Sequence, residues 1–163
     1  MNSHALFGLS ALMSFVASIV AASLFFWPRL RIMQRRDALV PLLAPHMFFR
    51  TIGLGFWVPG VVSPLLPAAF AAPAAYGDLL AGILAIAATQ ALAKRTSWAT
   101  GLVWVFNVWG AADLLNAMYL GNFHAKFDPG SLGAAFYIPT AIVPPLLVTT
   151  RLYFCFCLGP ETY

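Results

Sequence analysis

The chain has 163 residues, 61% of them hydrophobic and only 9% charged, with a mean hydropathy of +0.84. Soluble domains carry about a quarter charged residues, and one of this length still exposes roughly 30% of its unfolded surface, so lipid must cover part of this chain. The net charge of +4 does not point to nucleic acid, because Lys and Arg total nine and Arg29, Arg31, Arg35 and Arg36 fall in one short stretch, a topology signal.

Crossing a hydrocarbon core about 30 Å thick takes around 20 helical residues, and five apolar runs of that length follow one another. The first runs from Ala5 to Trp27 and repeats Ser10, Ser14 and Ser18 at four-residue spacing, small side chains that let helices approach in lipid. Its positive charge follows the apolar run, which reads as a retained helix rather than a signal peptide. After the basic break Pro28 to Asp37, the second run, Leu39 to Val62, holds Pro41, Pro45 and Pro59, each lacking a backbone donor. It also holds His46 and, one turn on, Arg50.

The uncharged stretch Ser63 to Ala75 reads as a loop. The third run, Tyr76 to Ala93, places Asp78 near its outer start and Gly77, Ala81, Ala85 and Thr89 along one packing stripe. Lys94 to Ser97 is a short basic break. The fourth run, Trp98 to Leu120, carries Asn107, Gly110, Asp113 and Asn116 at three-residue intervals. Such a row drifts about 60° per step, so Asp113 pairs locally with Asn116 and Asn107 bonds a different helix. Beyond Gly121 to Leu132, the fifth run, Gly133 to Cys155, contains Tyr137, Thr140 and three prolines, Pro139, Pro144 and Pro145.

Only helices and closed barrels satisfy their backbone in lipid, and these runs lack barrel alternation. The expected fold is all-α: a single five-helix transmembrane bundle over residues 1–163 in a bacterial inner membrane. Arg29, Arg31, Arg35, Arg36, Lys94, Arg95 and Arg151 then lie on the cytoplasmic side with the C-terminus, and the N-terminus lies outside. Trp27, Tyr76, Trp98 and Tyr119 fall at span ends, where amphipathic rings favour the headgroup level.

An Arg or Asp at a helix centre costs about 2.5–3.5 kcal/mol to insert, which singles out Arg50, Asp78 and Asp113. Asp113 lies about 22 Å along its crossing from Trp98, in the outer third, and Arg50 reaches the same depth if it extends outward. An ion pair of Arg50 with either aspartate leaves one carboxylate for other work. The expected site is a polar, outward-opening pocket formed by Arg50, Tyr76, Asp78, Asp113, Asn116 and Tyr137, walled by Trp57 and Trp109. Its mix of aromatic rings and carboxylates suits an amphipathic or cationic small molecule. The simpler reading is that both aspartates only hold helices together.

Motifs for phosphate binding, serine hydrolysis, zinc proteolysis and dithiol chemistry are absent. Cys155 and Cys157 form a C-x-C pair without further ligands and read as apolar filler. His4 and His124 are expected on the opposite side of the membrane from His46, so no three-histidine metal centre is expected, and a lone His46 reads first as a hydrogen-bonded core residue. No metal and no cofactor is expected, haem on His46 being the one candidate.

Five spans, small size and five tryptophans resemble the translocator or tryptophan-rich sensory proteins, which bind porphyrins and other lipophilic ligands. The string Arg50-Thr51-Ile52-Gly53-Leu54-Gly55-Phe56, followed by Tyr76-Gly77-Asp78-Leu79-Leu80-Ala81-Gly82, resembles DoxX-like proteins. Neither resemblance carries a function across. The leading expectation is a non-enzymatic membrane protein that binds or helps move a small amphipathic molecule. The alternatives are an accessory subunit packed on a membrane partner or in a homo-oligomer, and a membrane enzyme or haem protein using His46.

Overall fold

The computed structural model describes residues 2–158, apart from the Asn122 and Leu158 side chains, and among them every regular element is a helix, with no strand. Helix α1 spans Ser3–Leu30. Its N-terminus is capped by Asn2, whose side chain accepts from the Ala5 amide at 2.8 Å, satisfying one of the donors that a helix start leaves unpaired. Helix α2, Arg35–Trp57, is α-helical through Phe49 and tightens into a 3-10 helix over Arg50–Trp57. Helices α3, Ala68–Ala93, and α4, Ala99–Tyr119, follow. A 3-10 segment, Pro129–Phe136, then leads into α5, Ile138–Cys157.

Helices α1, α2, α3 and α5 are long and apolar enough to cross a membrane. Helix α4 has 21 residues, but Asn107, Asp113 and Asn116 lower its hydropathy, so apolarity alone does not mark it as a span. The largest departure from the sequence reading is at α3, which begins at Ala68 rather than Tyr76. Most of the stretch expected to be a loop is helix, because Ala favours helix and Pro67 stands at its N-cap, just before its first turn. Pro73 near the start removes a single backbone bond.

The helices pack in register. Helix α1 runs parallel to α5: Phe7 meets Phe136 at 5.8 Å between ring centroids, the Ser14 hydroxyl faces the Ala141 carbonyl at 3.5 Å, and Trp27 meets Phe156 at 5.7 Å. The serine repeat of α1 thus faces its neighbour. Helices α2 and α3 are antiparallel, with Phe56 edge-on to Phe70 at 5.5 Å. Near the basic end α4 meets α5 through Trp104 with Phe154 and Phe106 with Tyr153. Gly133 adopts φ 54° beneath the Val61 carbonyl, where any Cβ would clash and where Ala134 donates to that carbonyl at 2.8 Å.

Two apolar cores result. One, at the basic end, gathers Leu39, Leu42, Leu43, Ala85, Ala88, Val103, Phe106 and Tyr153. The other, at the far end, gathers Phe56, Phe70, Ala71, Ala75, Leu132 and Ile138. Small residues of α3, with Ala81 and Ala85 fully buried, let its backbone approach both neighbours. Replacing Ala85 by Leu should destabilise the bundle by about 1–3 kcal/mol through overpacking. Thermal unfolding in detergent checks this, with the exposed Ile86→Leu as the neutral control.

Candidate functional site

The cores are separated by a charge cluster that three helices build. Arg50 stands where α2 narrows from α-helix to 3-10 helix and is fully buried. Its Nη1 donates to Asp78 Oδ1 of α3 at 2.7 Å and to Asp113 Oδ2 of α4 at 2.6 Å. Its Nη2 donates to the Gly110 carbonyl at 2.7 Å. Both aspartates are more than nine-tenths buried, at 8% and 9% exposure. One guanidinium therefore meets two carboxylates, where the sequence left one carboxylate without an arginine contact. With both ionised, the cluster carries one uncompensated negative charge, which must be met by a proton or by a cationic partner.

Three glycines make this possible. A Cβ at Gly53 would fall inside the Asp78 carboxylate, and one at Gly77 inside that of Asp113. Gly110 gives its carbonyl and would bring a Cβ to 3.1 Å from Nη2. The sequence reading took Gly77 only as part of a packing stripe and gave Gly53 no role. The one available signal was their placement beside or across from charged residues. Asp78 also lies deeper than expected: ten residues after Ala68, it is about 15 Å along α3.

Beside the aspartates lies a cavity of about 430 Å³, within the size range of small-molecule sites. Asp78 and Asp113 are in its wall, and Phe7, Phe15, Phe56, Phe70 and Phe127 supply most of its aromatic lining, with His4 and Lys126 at the end away from the basic loops. The expected walls are corrected here. Trp57 and Tyr76 pack on each other at 5.8 Å on the outer surface, and Trp109 donates its indole N–H to the Gly77 carbonyl at 3.3 Å. Tyr137 and Asn116 are exposed, and none of these five lines the cavity. Arg50 sits behind the carboxylates and does not line it either. Trp57 ends α2 and Tyr137 directly precedes α5, whereas Tyr76 and Trp109 lie inside α3 and α4, and sequence position alone did not separate an outward-facing ring from a cavity wall.

His46 is buried in the basic-end core, with Nε2 2.8 Å from the Thr149 hydroxyl and its ring edge-on to Phe106 at 5.0 Å. It does not border the cavity. Asn107 is buried as well, yet neither of its amide atoms meets a hydrogen-bond partner among the described residues, contrary to the expected bond to another helix. The buried Thr140, seen in the sequence at matching depth, donates to the Phe136 carbonyl within its own segment at 2.7 Å. Among the described residues no group of three metal-ligating side chains converges.

The fold and this cluster define a bundle of apolar, membrane-type helices with a buried arginine–dicarboxylate centre beside a largely apolar cavity. Residues 6–158 match a domain of unknown function, DUF8737, and the chain belongs to that family. No curated protein and no solved structure matches it.

Replacing Arg50 by Met should destabilise the protein by about 3–5 kcal/mol, because both carboxylates lose their one buried counter-charge; a fall in the melting temperature checks it. Asp128, in the loop over the cavity, accepts from the Gly130 amide at 2.7 Å. That bond, a bond from Ser3 and the charge of His4 hold its carboxyl below the usual range. A carboxyl depressed in the folded state contributes stability above its unfolded value of about 3.9 and loses it as pH falls through the folded value. Amide exchange over residues 126–131 should therefore accelerate below about pH 4, and Asp128→Asn should remove that dependence.

Proposed function

We propose that this is a five-span, non-enzymatic protein of a bacterial inner membrane, N-terminus outside, whose cavity binds or helps move a small amphipathic or cationic molecule. The observation that carries the reading is the pairing of one guanidinium with two carboxylates in the wall of a cavity otherwise lined mainly by phenylalanine. A ligand with a cationic head and an apolar body matches both features: the head offsets the surplus negative charge, and the body covers aromatic surface. The parallel course of α1 and α5 supports an odd number of crossings. The basic stretches before α2 and between α3 and α4 fall at one end of the bundle, as the positive-inside rule requires.

The test compares dodecyl amphiphiles bearing ammonium, hydroxyl or sulfate heads on purified protein. Dodecylammonium should raise the melting temperature, by an amount corresponding to about 2.7 kcal/mol at a hundred times its dissociation constant, and dodecyl sulfate should not. Asp113→Asn leaves Arg50 and Asp78 as a balanced pair and should weaken ammonium binding about tenfold or more while the fold persists. Undiminished binding in that variant would refute the reading. A second reading, an accessory subunit, draws on α1, where Leu30 alone is buried, so that the outer side of its preceding turns is open to a membrane partner. A stoichiometric companion retained through purification in mild detergent would favour it.

A further inference from the structure

We infer that the cavity opens sideways between α1 and α4, and that a single-chain alkylammonium amphiphile enters there and seats its ammonium against Asp113 and Asp78. This rests on the ligand class proposed above and adds the route and the head group.

The route follows from which helices pack together. Helix α1 packs along α5 and the segment before it, whereas α4 packs along α3 and against α5, the latter through rings near the basic end. Toward the other end, α1 and α4 face each other across the cavity, with Ala11 and Phe15 on one side and Leu114, Ala117 and Met118 on the other. Phe15 and Met118 are 37% and 48% exposed, so the cavity reaches the outer surface of the bundle between them. Everything on this side is apolar, as an opening toward acyl chains requires.

The end of the cavity is a poorer entrance. Phe127 packs on Phe70 at 4.7 Å, Pro129 is buried, and Asp128 bonds back to Gly130. Lys126 faces the cavity there, so a cation arriving end-on meets like charge, and one arriving from the side meets none until it reaches the aspartates.

The head group follows from the acceptors. Among the described residues, Arg50 Nη1 is the one side-chain donor that reaches either carboxylate, so acceptor capacity remains on both. A primary ammonium has three donors and one positive charge. It brings the cluster to neutrality while bonding both carboxylates, whereas a quaternary ammonium supplies the charge without the donors. The alkyl chain lies against Phe15, Leu114 and Met118 and continues out through the gap into the surrounding lipid.

The experiment uses the full chain in lipid nanodiscs with dodecylammonium as the probe. Met118→Trp, at an exposed position that tolerates bulk, should narrow the gap and weaken or slow binding about tenfold, and Phe15→Ala should speed it. Lys126→Ala should leave the association rate unchanged, and dodecyltrimethylammonium should bind the wild type about tenfold more weakly than dodecylammonium. A rate that responds to Lys126→Ala and not to Met118→Trp or Phe15→Ala would mean end-on entry and overturn the route. Equal binding of the quaternary probe would overturn the head-group assignment. Either result leaves the ligand class standing, whereas a wild type that binds no dodecyl cation removes that class and this inference together.

Discussion

Burying a guanidinium in an apolar bundle is the constraint from which the rest of this structure follows. An arginine side chain has five donors and cannot shed its charge, so Arg50, once placed at the centre of an inserted helix, must be supplied with acceptors by its neighbours. Helix α3 gives Asp78, and α4 gives Asp113 and the Gly110 carbonyl. Because the carboxylates are short, the backbones must come close. The glycines at positions 53, 77 and 110 and the tightening of α2 into a 3-10 helix at Arg50 are the means by which they do. Lipid offers no hydrophobic drive for helix association, so this polar centre and the alanine face of α3 hold the three helices together.

The same centre explains why the bundle does not close into one core. Below it, toward the basic loops, Leu39, Leu42, Val103, Phe106 and Tyr153 interdigitate with the small residues of α3. Above it, two acidic side chains occupy the wall, and dry packing against them would leave charge unmet. Phe56 and Phe70 pack in the core at that end and also face an open space beside the carboxylates. The cavity is thus continuous with the charge cluster in origin as well as in position, and its two carboxylates are the acidic groups in an otherwise largely apolar wall.

Much of this was legible in the sequence, for identifiable reasons. Hydropathy located the helices because spanning length is set by bilayer thickness, and the insertion cost of a charge singled out Arg50, Asp78 and Asp113. The start of α3 was missed because Ser63 to Ala75 is rich in proline, and proline reads as a break although it is tolerated at helix starts. That error put Asp78 near the membrane surface and understated how deeply the cluster is set. The cavity walls were misassigned because Trp57, Tyr76, Trp109 and Tyr137 carry polar tips that draw attention, whereas Phe7, Phe15, Phe56, Phe70 and Phe127 look in sequence like ordinary apolar filler. Which apolar ring faces a cavity depends on helix rotation, and the serine edge of α1 marked the side that meets a neighbouring helix without marking the side that meets a cavity.

Helix α1 is where these features meet. Among the described residues no charged side chain ties it to the cluster, Leu30 alone of its residues is buried, and its contacts run along α5 through Phe7, the serine edge and Trp27. It nevertheless provides one wall of the cavity through Phe7, Ala11 and Phe15. It is held by small residues and scattered ring contacts and, among the described residues, by no interhelical ion pair, and lipid offers its apolar surface as good a neighbour as another helix does. The charged part of the site, Arg50 with its two aspartates, therefore sits on α2, α3 and α4, and α1 contributes mainly apolar wall.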